Sequence, residues 1–236
     1  MGSTPISGDL SGTSGLVHNN YYSRNKMESP ADKYLREHSS RQSEALDWIE
    51  KQTNIHTNYP RMLSGAVQGR LLTMLVEISK ARRILEIGAF TGYSATCLAY
   101  GLPKDGHIDT LEINDELEDL MREGWSRAGV ADKITLHIGD ACETLSTLEG
   151  PYDIVYMDAN KREYVTYYNL VFDLVSPGGL ILADDVLWDG KLWQKPVPKD
   201  KQTQGIIAFN DLVVSDPRVE SVLLPIRDGL NVIRKL

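Results

Sequence analysis

Residues 83–92, Arg-Ile-Leu-Glu-Ile followed by Gly-Ala-Phe-Thr-Gly, limit the fold more than any other segment of the chain. A five-residue apolar run is too short for a helix, and the glycine turn after it redirects the backbone sharply. A helical segment, residues 93–100, comes next. Strand-like runs recur at residues 107–113, 133–138, 152–157 and 180–183, separated by helix-length stretches. Strands alternating with helices call for a parallel sheet covered on both faces. The tail differs. Residues 219–226, the turn Arg227-Asp228-Gly229 and residues 230–235 read as a hairpin, because Asp-Gly between apolar runs is a strong turn signal. The expected fold class is α/β, a doubly wound, mostly parallel sheet of about seven strands with an antiparallel final strand and so an antiparallel edge.

Ahead of the sheet, Ser29-Pro30-Ala31-Asp32 carries the signature of a helix start: an N-cap, a tolerated proline and an acid in the first turn. A second helical stretch covers residues 43–51. A third is expected over residues 65–80, where Val67, Leu71, Met74, Leu75 and Ile78 recur at helical spacing. Residues 1–28 are read as a flexible leader, in part an expression-vector remnant, because the first twenty hold four Gly, four Ser and two Thr without hydrophobic periodicity. Residues 29–236 are read as a single domain.

Composition narrows the function. The 236 residues carry 25 Lys+Arg against 33 Asp+Glu, a net charge of −8, so the clustered cations of a nucleic-acid binder are not expected. No stretch approaches the ~18 apolar residues of a membrane span. Cys97 and Cys142 form neither metal-ligand spacing nor a disulfide framework, and with no secretory signal in view the expectation is a reducing, cytoplasmic compartment.

In an open α/β sheet, ligands bind at the carboxyl ends of the strands near the switch in strand order. The glycine turn ends the first strand, and Glu112 ends the second, about 20 residues on, where an acid can accept hydrogen bonds from a ribose. The turn lacks the G-x-G-x-x-G of a dinucleotide site, since Ala89 and Phe90 follow Gly88. Glu86 just before it suits a cationic, amino-acid-bearing ligand better than a diphosphate. The competing reading makes Gly88 and Gly92 no more than a tight strand-to-helix connection.

Asp158 ends the fourth strand, and Asp184 and Asp185 end the fifth. If those strands are neighbours, three carboxylates meet, and their mutual repulsion calls for a hard divalent cation. Alternatively, each acid merely caps a following helix. Lys161, three residues past Asp158, becomes a candidate general base beside such a cation, or else a solvated lysine at a helix start. Two further readings stay open: a nicotinamide-dependent oxidoreductase and a non-catalytic nucleoside-binding module.

At these residues the chain resembles the cation-dependent O-methyltransferases that use S-adenosylmethionine, the group of catechol and caffeoyl-CoA O-methyltransferase. The motifs, in order, are Met62 with Gln68-Gly69; residues 85–94; Gly139-Asp140-Ala141; residues 152–158; Lys161 with Tyr164; Pro177-Gly178-Gly179; residues 184–190; and residues 224–229. The resemblance runs from about Ser29 to Leu236 and implies a Rossmann-like methyltransferase fold and a homodimer. It implies that Ser64, Glu86, Gly88, Gly92 and Ser94 hold the methionine part of the cofactor. Glu112 would bind its ribose, Asp140 and Ala141 would flank its adenine, and Asp158 would stand at both cofactor and metal. Asp158, Asp184 and Asp185 fall on the metal positions, for Mg²⁺ first and Mn²⁺ or Ca²⁺ as alternatives. Lys161 falls on the base, and Met62, Trp188 and Asp189 on the pocket of an aromatic vicinal-diol acceptor. Two positions depart from the pattern: Asp185 stands where the family usually has Asn, and Asn160 where the animal catechol enzyme has an aromatic.

Overall fold

A computed structural model describes residues 29–236, so the leader expected at 1–28 lies outside the described residues. Three helices open the fold: α1 (Pro30–Glu37), α2 (Glu44–His56) and α3 (Gly65–Ser79). Their starts follow from the sequence. The Ser29 and Ser43 hydroxyls accept the free amides of Asp32 and Leu46. Helix α2 runs past the expected residue 51 because Thr53, a poor helix former, is buried and ties α2 to Thr91 at 2.8 Å.

Then strands and helices alternate: β1 (Arg83–Ile87), α4 (Tyr93–Gly101), β2 (His107–Glu112), α5 (Glu118–Ala128), β3 (Ile134–Ile138), α6 (Ala141–Leu145), β4 (Tyr152–Met157), α7 (Tyr164–Phe172) and β5 (Val175–Ala183). Helix α8 (Lys201–Ser215) leads to β6 (Val219–Leu224) and β7 (Leu230–Lys235). The seven strands take the order β3-β2-β1-β4-β5-β7-β6, parallel through β5, with β7 antiparallel to both its neighbours.

The antiparallel final strand and the antiparallel edge are as expected, and the edge is made of two strands. β7 buries Leu230 and Ile233 between β5 and β6, while β6, largely exposed, takes the rim. Strand β5 starts at Val175, not at 180, because Pro177-Gly178-Gly179 bends the strand without ending it, and its register with β4 slips there.

Side chains alternate across the sheet even where the strands read as continuous apolar runs, as expected for strands buried on both faces. Ile84, Ile108, Ile154 and Leu182 pack with Leu72, Leu98 and Trp125 on one face. Leu85, Ile87, Val155 and Ile181 pack with Tyr164, Tyr168 and Phe209 on the other. This fixed alternation determines where the acids at the strand ends point. The order of strands turns at β1 and β4, so the switch point lies between the glycine turn and Asp158.

Candidate active site

The site grows from the carboxyl ends of β1, β2, β4 and β5. After Ile87 the chain turns at Gly88, with φ of +97°, and its amide donates to the Leu111 carbonyl at 2.9 Å. A Cβ at Gly88 would collide with the Asp158 carbonyl, so only glycine lets these two strand ends approach. Gly92 (φ +79°) faces the Trp125 indole, whose Nε1 donates to its carbonyl at 3.1 Å. Its missing side chain therefore makes room for Trp125.

Glu86 points to the face of β1 opposite Leu85 and is fully buried. Thr110 donates to its Oε2, while Oε1 has no partner. Burial raises its carboxyl to about 7, against the opposing pull of the Ser94 and Thr110 hydroxyls. A buried acid with one orphaned oxygen fits an incoming ammonium. Glu112 accepts Phe90 N at 2.6 Å and the amides of Ile113 and Asn114 at 2.9 Å, which pins the glycine turn to the end of β2. Beside it, Ile113 is 73% exposed, an apolar surface at the rim where a base could lie. Asp140 caps α6: its Oδ1 accepts from Cys142 N and Glu143 N. Ala141 opens that helix.

Strands β4 and β5 are neighbours, so Asp158, Asp184 and Asp185 meet. Lys161 Nζ sits among them, 2.7 Å from Asp158 and 3.4 Å from Asp185. It also donates to the Tyr164 hydroxyl at 2.7 Å, which in turn donates to the Asp184 carbonyl at 2.8 Å. Burial alone would discharge this lysine, but the surrounding carboxylates outweigh it and hold Lys161 firmly as an ammonium. Asp158 and Asp184 are both raised, by burial first and then by repulsion from neighbouring carboxylates; one ammonium does not balance three acids.

Among the described residues, no three His, Cys, Asp or Glu side chains are arranged to hold a metal ion. The reason is local. Lys161 fills the space between the carboxylates, and Asp184 Oδ2 already accepts from Tyr156 at 2.6 Å and from Gln68 Nε2. The donors themselves are hard oxygens carrying surplus negative charge, which is the chemistry a Mg²⁺-like cation takes. By that criterion the residues fit such an ion.

Sequence reading left Gln68, Tyr156 and Tyr164 without roles. With Ser64, whose hydroxyl lies 3.3 Å from Tyr156 Oη, they form the buried polar network behind Asp184 and Lys161. One signal was present: Gln68 interrupts the apolar face of α3 four residues before Leu72.

The residues expected to line an acceptor pocket lie on loops. Met62 is 57% exposed in the turn Pro60–Met62. Trp188, Asp189 and Gly190 are three consecutive left-handed residues (φ +47°, +54° and +68°), and each non-glycine one costs on the order of 1 kcal/mol. The Trp188 indole N–H is buried without a partner, and Lys191 Nζ lies 5.1 Å from its ring. Arg227, from the β6–β7 turn, donates to the Arg61 carbonyl at 3.1 Å, so this turn reaches the Pro60–Met62 segment.

Comparison with known proteins agrees with this geometry. Residues 36–236 match the O-methyltransferase family profile. The chain is similar to caffeoyl-CoA O-methyltransferase 5 of Nicotiana tabacum, at 32% identity over 94% of this chain and 98% of that one. It is 35% identical to catechol O-methyltransferase domain-containing protein 1 of Mus musculus, over 89% of this chain and 81% of that one. Among solved structures, the O-methyltransferase of Bacillus cereus in complex with SAH superposes with a TM-score of 0.81 at 28% identity, covering 89% and 98% of the two chains. The O-methyltransferase of tomaymycin synthesis from Streptomyces achromogenes, in complex with SAM, gives 0.81 at 30% identity, covering 88% and 96%. The chain belongs to the O-methyltransferase family of S-adenosylmethionine-dependent enzymes.

Proposed function

We propose that residues 29–236 form one methyltransferase domain that methylates a hydroxyl of an aromatic vicinal diol, with a divalent cation at Asp158, Asp184 and Asp185. The observation that carries this is a juxtaposition: the orphaned Oε1 of Glu86 ends one strand, and the carboxylate cluster with Lys161 ends the strand paired beside it. The names of the tobacco and mouse relatives, caffeoyl-CoA and catechol, support the acceptor class.

In this reading Glu86 Oε1 accepts the cofactor's ammonium, with Ser64, Ser94, Gly88 and Gly92 around its methionine part. Glu112 accepts the ribose hydroxyls, and Asp140, Ala141 and Asp158 complete that side. When bound, the sulfonium supplies the methyl group and a cation such as Mg²⁺ supplies Lewis acidity that lowers the acceptor's pKa. Met62, Trp188 and Asp189 orient the ring so that its oxygen lies in line with the methyl, which gives much of the rate. Lys161 would take the hydroxyl proton at Nζ in its neutral form, after a cation sharing the carboxylates has repelled the ammonium and its own proton has passed to solvent. Two unpaired cysteines suit a reducing cytoplasm, no described helix is long and apolar enough to cross a membrane, and a homodimer is the expected assembly.

Labelled S-adenosylmethionine and a panel of catechols, hydroxycinnamates and monophenols test this directly. Transfer to vicinal diols that chelation abolishes and Mg²⁺ or Mn²⁺ restores is expected. Equal transfer to monophenols, or full activity after exhaustive chelation, would overturn the proposed chemistry. The nicotinamide alternative predicts that NAD, not S-adenosylhomocysteine, binds in calorimetry, and family membership argues against it.

A further inference from the structure

The motif at residues 224–229 is left without a task by the chemistry above. A hairpin turn of the Asp-Gly kind needs no buried carboxylate. Here Asp228 is turned inward and only 8% exposed, close enough to Asp185 and Asp189 for their charges to act on it. Both its oxygens accept one N–H, that of Asp189, at 2.8 Å. Its carbonyl accepts Leu187 N at 2.7 Å, and the Gly229 carbonyl accepts Val186 N at 3.1 Å. A Cβ at Gly229 would strike Leu187, so the turn and the loop lie backbone against backbone. From the other side, Asn210 Nδ2 donates to the Val186 carbonyl at 2.9 Å.

The loop so held is the one with three left-handed residues in a row, a conformation that persists only where its surroundings enforce it. The strongest side-chain hold falls on Asp189 N–H, in the middle of that run. The two side-chain oxygens of Asp228, each 2.8 Å away, are the acceptors for that N–H.

We infer that Asp228 is a positioning residue: by gripping the Asp189 amide it keeps Trp188 and Asp189 in the left-handed run and shapes the acceptor side while leaving the cofactor side alone. The inference rests on the acceptor role proposed above for Trp188 and Asp189. No residue of the turn donates to or accepts from Glu86 or Glu112 in the described hydrogen bonds, which is why the two sides should separate.

Two variants, Asp228→Ala and Asp228→Asn, test it with catechol as the probe acceptor and S-adenosylhomocysteine as the probe of the cofactor side. Asp228→Ala is expected to raise the KM for catechol about tenfold, the scale of one lost hydrogen bond, with the Kd for S-adenosylhomocysteine within about twofold of wild type. Asp228→Asn, whose amide oxygen still accepts the N–H, should recover most of the loss. Amide exchange across residues 187–190 should quicken about tenfold in the alanine variant and stay near wild type in the asparagine one. Where Asp228→Ala does not fold, Asp228→Ser, too short to reach Asp189, carries the same comparison. Unchanged exchange, an equal rise in both constants, or an asparagine variant as impaired as the alanine one would overturn the inference. A wild-type protein that methylates no diol would sink the proposed function instead, and the exchange measurement would still decide whether Asp228 holds the loop.

Discussion

The two halves of the site are built by different means. On the proposed cofactor side, Glu86 and Glu112 stand on strand ends, and Glu112 is fixed by three backbone amides. On the proposed acceptor side the aspartates also follow strand ends, but Lys161 and Asp184 Oδ2 are held mainly by other side chains, and residues 188–190 lie in left-handed backbone. A site preorganised by backbone resists substitution of its neighbours. One preorganised by mutual charge is sensitive to every member, because removing a single partner leaves the others buried and unbalanced.

The sharpest way to break this contrast is Lys161→Ala. Turnover should fall by ~10²-fold or more, the scale of general-base catalysis, with affinity for S-adenosylhomocysteine unchanged. Single-turnover kinetics and calorimetry read the two quantities separately, and retained turnover would remove Lys161 from its role. Glu86→Gln probes the other half. The folded carboxyl lies at about 7 against 4.5 in the unfolded chain, so its burial costs nothing below the unfolded value and weakens the fold as pH rises through 7. The ligand-free Gln variant should therefore be more stable than wild type near pH 8, by up to roughly 3 kcal/mol at about 1.4 kcal/mol per pKa unit. The gap should close only below the unfolded value, by about pH 4, and urea melts at both values check it; a gap independent of pH would refute the assignment. The smallest effect is expected from Asp185→Asn. Removing one of three clustered charges should weaken Mg²⁺ binding about tenfold in calorimetry, with turnover retained at saturating metal. Tighter binding in that variant would mean Asp185 is no ligand.

Legibility in the sequence follows the same divide. The glycine turn, the caps at Ser29 and Ser43 and the acids at the strand ends were readable, because each is local: an apolar run, a Gly or Asp, then a change of period. Tyr156 and Gln68 were not, since they meet Asp184 from 28 and 116 residues away, and nothing nearby marks a tyrosine in an apolar strand as a hydrogen-bond donor. Which strand of the final pair lies at the rim was not legible for a related reason. A hairpin signal fixes which strands pair with each other but not which of them reaches the sheet first. Asp228 was read correctly as part of a turn, yet its sequence neighbours gave no hint that its carboxylate faces inward to another loop.

The grip of Asp228 on Asp189 spans 39 residues, and it runs backwards along the chain. During translation Trp188 and Asp189 leave the ribosome before Asp228 has been made, a delay of about 2–8 seconds at ordinary elongation rates. Until then the left-handed run lacks its carboxyl partner, while the residues around Glu86 and Glu112 have long been made. The residues proposed for the cofactor are thus in the chain well before the turn that holds the proposed acceptor loop.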